Sequence, residues 1–242
     1  MRKIGLGILV GIVVLALSGV VVAISNQGAE KAKAPDLEKI EFIHWKKDFA
    51  KPEGAKVPKP PSCYKFLTPT KVKWTVLPAN YVINPTNPQY LGEDFIKSAV
   101  FNSAETWDAA TSKELMNDTY TIDYTATYGV QDYENAITFG NYPTAGVIAV
   151  TTVWYNPATK AIVEFDVMFD TDWTWGDATA SSTVMDLQNI ATHELGHGVG
   201  LADVYDTVCS TVTMYGYSDY GEIQKKTLET PDITGLQTLY GI

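Results

Sequence analysis

Histidine is scarce in this chain: 242 residues hold three, His44, His193 and His197. A metal centre made of three histidines would have to use all of them, one from far upstream. Cysteine is scarcer, with Cys63 and Cys209 alone, so the chain can form one intramolecular disulfide at most. Basic side chains are few where the chain is richest in apolar residues. Of 18 in all, two lie in 1–24 and eight in 25–62; six of the 28 acidic groups also lie in 25–62. Residues 63–242 therefore keep 8 basic and 22 acidic groups, a balance that excludes nucleic-acid binding through a basic surface. No internal repeat is visible.

One uncharged run stands out, "IGLGILVGIVVLALSGVVVAI" at 4–24, preceded by Arg2 and Lys3. It reaches the roughly 20 residues needed to span a bilayer, and Val21 and Ala23 also suit a signal-peptidase site. Residues 1–24 are thus a membrane anchor or a cleaved signal, and both place the rest outside the cell. Residues 25–62, with "KPEGAKVPKPP", read as a Lys/Pro-rich linker or stalk, mostly extended. Within it "DLEKIEFIHWKKDF", 36–49, suits a short amphipathic helix. Outside the cell Cys63 and Cys209 favour a disulfide; the other reading is a Cys63 thiolate that sits on a metal in a latent form.

Residues 63–242 read as one α+β domain. Strands are expected over 70–83, about 120–127, 136–139, 146–155 and 161–169, the last two joined as a hairpin by "NPATK". Phe95, Ile96, Ala99, Val100, Ser103, Ala104 and Trp107 give residues 92–115 a helical period. A second helix should start at a Ser182 or Thr183 cap, bury Leu187, Ile190, Ala191 and Leu195, and stop at Gly198–Gly200. After an irregular 201–229, a last helix should begin at Thr230 with Pro231 in its first turn.

The second helix carries "HELGHGVGLAD", 193–203. His193 and His197 are four apart and leave one helix face, the spacing at which two imidazoles reach a single zinc ion. Glu194, one residue on, lies beside such an ion, where a general base can take a proton from its water. Gly200 allows a sharp turn, after which Asp203 can swing back as third ligand. Asp206 and His44 are the competing third ligands, His44 only if the stalk folds over the site. A purely structural zinc would need a fourth protein ligand.

These stretches resemble the metzincin metallopeptidases and, among them, the matrixins. "HELGHGVGLAD" is similar to the metzincin zinc motif, with Asp203 where matrixins have a third histidine. "STVTMYGY", 210–217, resembles the Met-turn, with Met214 beneath the metal. "TPDITGLQTLYG", 230–241, resembles the closing helix and "SAETWDAAT", 103–111, the first. "GVIAV", 146–150, resembles the edge strand along which substrate lies, and "FDVMFDTDWTW", 165–175, the acidic strand end before the active-site helix.

The resemblance implies a metzincin-like catalytic domain, a twisted mixed sheet with an active-site helix. It implies one catalytic zinc on His193, His197 and Asp203, with Glu194 as base, and hydrolysis of extracellular or cell-surface proteins. Tyr215 and Tyr217 would wall a specificity pocket or donate to the oxyanion. Asp170 and Asp172 are candidate calcium ligands. The structural-zinc histidines of many matrixins are missing, with Met168 in one of their places, and so is their "PRCGxPD" switch. The partners expected are a protein or peptide substrate and, through 1–24, a membrane; the domain is expected to be a monomer. The competing reading is an exported binding or scaffold domain that keeps the fold without cleaving.

Overall fold

The computed structural model describes residues 36–49 and 62–242. The apolar run 4–24 and most of the Lys/Pro-rich stretch lie outside the described residues. Among those described, no helix is long and apolar enough to cross a membrane. In chain order the strands are β1 (Glu38–Lys46), β2 (Lys65–Phe66), β3 (Val82–Ile83), β4 (Thr121–Ile122), β5 (Ala136–Gly140) and β6 (Val147–Asn156). They continue with β7 (Ala161–Asp170), β8 (Trp175–Gly176), β9 (Met185–Asp186), β10 (Leu201–Ala202) and β11 (Tyr217–Ser218). The helices are α1 (Glu93–Asp108), α2 (Leu187–Gly198) and α3 (Thr230–Tyr240).

The main sheet is mixed, in the order β11-β1-β6-β7-β5-β3-β4, so the α+β expectation holds. β6 and β7 form the expected antiparallel hairpin, β5 pairs with β7 in parallel, and β3 pairs with β5 in parallel. Period-two alternation sorts their side chains. Ala149, Val153, Phe165, Val167 and Phe169 enter the main core with α1 and α2, while Val150 and Met168 form a smaller cluster, joined by Val147 across a register shift against β1. The second cluster includes Met168 against Gly140, where an added Cβ would stand 2.4 Å from the Met168 sulfur.

Residues 36–49 overturn the expected helix. The chain forms β1 there, antiparallel to β6 from Glu38 to Trp45 and parallel to β11 at Trp45 and Lys46. Ile40 and Ile43 are spaced for a helix turn, but Ile40, Phe42 and His44 also alternate. The open edge of β6 supplies the backbone partners that an isolated amphipathic turn would lack. The stalk expected over 25–62 is therefore interrupted by a strand of the main sheet.

Other boundaries shift for local reasons. The strand expected over 70–83 contracts to Val82–Ile83, with single bridges at Lys73 and Ala79; Pro78 between them has no N–H for a ladder. The helix expected over 92–115 ends at Asp108, and Asp108 Oδ1 then accepts the N–H of Leu115 at 2.7 Å. The active-site helix starts later than expected because Asp186, and neither Ser182 nor Thr183, caps it by accepting from Asn189 at 2.9 Å. The last helix begins at Thr230, but its cap is Glu229 in a reciprocal box with Asp232.

Candidate metal centre

α2 is held by the elements around it. Trp107 of α1 donates its indole N–H to the carbonyl of Thr192 at 2.8 Å. At the C-terminal end, Trp74 donates to the carbonyl of Gly198 at 2.8 Å and Tyr240 to that of Val199 at 3.0 Å, which satisfies acceptors a helix end leaves open. Gly196 permits the closest approach. A Cβ there would stand 2.2 Å from the Met214 sulfur and 2.7 Å from the Trp107 ring. Met214, expected beneath the metal, is fully buried and packs against Gly196 of α2. Gly200, at φ +110°, reverses the chain after the helix, in a conformation that glycine adopts without steric cost.

That reversal brings Asp203 back to the histidines. Its Oδ1 lies 3.1 Å from His193 Nε2 and 3.5 Å from His197 Nε2. The Nδ1 atoms point the other way. That of His193 meets the carbonyl of Thr213 at 2.7 Å and that of His197 the carbonyl of Leu201 at 2.9 Å. In the neutral imidazole the Nδ1 proton makes each of these donations, which leaves Nε2 a lone pair for a metal in place of a proton. His193 Nε2, His197 Nε2 and Asp203 Oδ1 are buried without a hydrogen-bond partner. Ligands about 2.0–2.2 Å from a tetrahedral zinc stand roughly 3.3 Å apart, so these three orphaned atoms fit a zinc ion by type and spacing. Asp206, the competing ligand, instead caps the turn 207–209 by accepting from Val208 at 3.1 Å.

The site is supported from below and behind. Asp232 of α3 accepts the N–H groups of Thr213 and Met214 at 2.9 and 3.2 Å, and so fixes the carbonyl that orients His193. Tyr205, which the sequence did not single out, donates its hydroxyl to Asp203 Oδ2 at 2.8 Å. Thr151 of β6 donates to Glu194 Oε2 at 2.6 Å. The only trace of either in the sequence is a tyrosine two residues after Asp203 and a threonine on the inner side of a strand.

Burial sets the charges. It pushes the Glu194 carboxyl up to about 7, against the opposing pull of His197 and Thr151. Burial also lowers His193 to about 4, whereas Asp203 beside it outweighs burial at His197 and raises it. Asp203 itself is desolvated, yet the imidazoles of His197 and His193 hold its carboxyl well below the usual range.

Other expectations fare unevenly. Cys63 and Cys209 are disulfide-bonded, so no Cys63 thiolate is available to the centre. Tyr215 and Tyr217 are buried beside Val204 and Val212, and their carbonyls accept from Lys225. Asp170 and Asp172 belong to no group of three metal-ligating side chains among the described residues. Asp170 accepts the N–H of Asp172, and Asp172 accepts from Asn141, both at 2.9 Å. The edge of β6 expected to receive substrate is paired with β1. His44, the competing third ligand, does lie over the site: it groups with His193 and Glu194, and its Nδ1 is 3.0 Å from Glu194 Oε1.

Residues 73–241 match the family model described as Matrixin. This chain belongs to the matrixins. Among curated proteins it is similar to human neutrophil collagenase, 27% identical over 73% of this chain. Matrix metalloproteinase-18 of Xenopus laevis is 30% identical over 53% of the chain, and human matrilysin 38% over 31%. The aligned segments cover 35% of the collagenase and 27% of each of the other two, so the chain spans about a third or less of these relatives. This matrixin has Asp203 at the turn where the family resemblance implied a histidine.

Proposed function

We propose that this matrixin is a zinc-dependent endopeptidase acting on extracellular or cell-surface proteins. The observation that carries the reading is the triad of bare, buried ligand atoms on His193, His197 and Asp203, one helix position from Glu194. Zinc, when bound, supplies a Lewis acid that polarises the scissile carbonyl and acidifies the attacking water. Glu194 takes the proton from that water and passes it to the leaving amine. Thr151 fixes one oxygen of Glu194 and so sets the direction of the other. Tyr205 fixes the second oxygen of Asp203 and leaves the first to face the histidines. The three protein ligands would leave a position open, which suits catalysis better than a closed structural site.

The location follows from two features. The 4–24 run directs export, and the Cys63–Cys209 bond suits an oxidising compartment. The acidic balance of 63–242 argues for a protein substrate over a nucleic acid.

The test is fluorescent casein hydrolysis by the zinc-loaded chain, with and without chelator, alongside Glu194→Ala. Both changes are expected to abolish cleavage, and Glu194→Ala is expected to keep one zinc per chain. Cleavage that survives both would overturn the reading. Asp203→His is expected to move the acidic limb of the pH–rate profile to lower pH, because a neutral ligand leaves the metal more Lewis-acidic; an unmoved limb would remove Asp203 from the ligand set.

A further inference from the structure

β1 is placed where an extended peptide would have to lie. It fills the outer edge of β6 over Glu38–Trp45 and continues against β11, with Lys46 N–H donating to the carbonyl of Gly146 at 2.8 Å. Strand addition of this kind is how sheet edges bind extended peptides, with backbone bonds for affinity and alternate side chains for selectivity. The inner-face side chains are Ile40, Phe42 and His44, opposite Val153, Thr151 and Ala149. Two of them touch the centre itself. The Phe42 ring stacks on His197 with centroids 4.1 Å apart and planes 12° apart. His44 is fully buried and packs on His193, with ring centroids 3.9 Å apart.

The hydrogen bonds of His44 make it more than a filler. Nδ1 meets Glu194 Oε1 at 3.0 Å. Nε2 meets Ser218 Oγ and Lys225 Nζ, each at 3.0 Å. Lys225 has only protons to give, so Nε2 accepts and Nδ1 carries the proton that goes to Glu194. Thr151 already holds the other oxygen of that carboxylate. Both oxygens of the base thus have partners from within the chain.

We propose that residues 38–46 are a built-in competitor of the substrate: they occupy its strand position, cap Glu194 through His44, and keep the chain latent until they leave. This rests on the endopeptidase reading for its consequence, though the occupancy can be tested apart from it. It also defines the class of ligand the groove accepts. That ligand is an extended peptide whose alternate residues are aliphatic, aromatic and, in the last place, an acceptor of hydrogen bonds. The His44 pocket is floored by the fully buried Lys225 and by Ser218, so an acceptor-bearing side chain is favoured there over an aliphatic one. Release of β1 requires no covalent step, only loss of its pairing with β6 and β11.

The experiment uses the full zinc-loaded chain and two variants, Phe42→Lys and His44→Ala. Phe42→Lys places a charge against His197 and should detach the strand; casein cleavage should rise about tenfold or more, as expected when a dominant closed population is removed. His44→Ala keeps the backbone pairing and should give a smaller rise, which preserves the test if Phe42→Lys fails to fold. A synthetic peptide of residues 36–49 should inhibit Phe42→Lys by raising KM without lowering kcat. The same peptide with leucine in place of histidine should inhibit less. Folded variants that cleave no faster than the parent chain, with no inhibition by the peptide, would make β1 a permanent strand and overturn the proposal. Anisotropy of the fluorescein-labelled peptide separates the two readings. Saturable binding to Phe42→Lys but not to the parent chain supports the occupancy even if neither cleaves casein, and in that case the endopeptidase reading falls instead.

Discussion

Two groups of buried acids differ in what reaches them. Glu164, Asp166 and Asp170 on β7, and Glu194 and Asp203 at the centre, are all at most 5% exposed. The β7 acids are met mainly by backbone N–H groups, with the Gln131 amide adding to Glu164. Glu164 accepts the N–H groups of Asp132 and Tyr133, Asp166 those of Gly129 and Ala136 at 2.7 and 3.0 Å, and Asp170 that of Asp172. Glu194 and Asp203 have side-chain partners, and Asp203 Oδ1 faces two imidazole nitrogens that are equally unpartnered. A carboxylate saturated by fixed N–H groups ties down a loop. One left bare beside bare histidines can take a cation or a proton.

The sharpest way to break this contrast is to exchange its consequences. Asp203→Ala is expected to weaken zinc binding by at least about 100-fold, more than the loss of a supporting group costs, while metal-free thermal stability is kept. Competition with a chromophoric chelator and a melting curve measure both; unchanged zinc affinity would put Asp203 outside the ligand set. Asp166→Ala is the mirror image. It leaves two buried N–H groups unpaired, which should cost about 2–3 kcal/mol in chemical denaturation with zinc affinity unaltered. Tyr205→Phe probes the support of the metal side and should lower zinc affinity about tenfold with no change in fold.

The smallest effect is in pH. Burial pushes the Asp166 carboxyl up to about 7, against the pull of its two backbone N–H groups. The folded state therefore binds its proton more tightly than the unfolded state. The contribution is present in full below about pH 4 and is lost as pH rises through about 7. Asp166→Asn does not titrate, so its deficit relative to the parent should narrow steadily between pH 4 and 8, read as a shrinking difference in Tm. A constant deficit would mean that Asp166 is already ionised at pH 4.

The parts of the site that were legible in the sequence are local. His193, Glu194 and His197 are related by one helical turn, and Gly200 marks the reversal that returns Asp203. The β6–β7 hairpin was legible from alternation, and two cysteines alone allow only one bridge. The parts that were not legible depend on partners far away in the chain. Thr151 meets Glu194 from another element, and Lys225 meets His44 across 181 residues. Spacing marked Asp170 as a candidate calcium ligand, but it could not show that its carboxylate meets the N–H of Asp172. Residues 36–49 looked helical because a strand has no internal hydrogen bonds; only a neighbouring edge makes it one.

By itself, then, the sequence determined the local pattern: two imidazoles and a glutamate at helical spacing, a glycine turn that returns a carboxylate, and a methionine downstream. Those features follow from the 3.6-residue period and from the conformational freedom of glycine, which act over a few residues. Only the tertiary structure decided what surrounds that pattern. It placed Tyr205 behind Asp203, bonded Cys63 to Cys209, and laid β1 across the groove with His44 on Glu194. A sheet edge and a buried lone pair take whichever partner the completed fold brings within about 3 Å, and no local pattern encodes that choice.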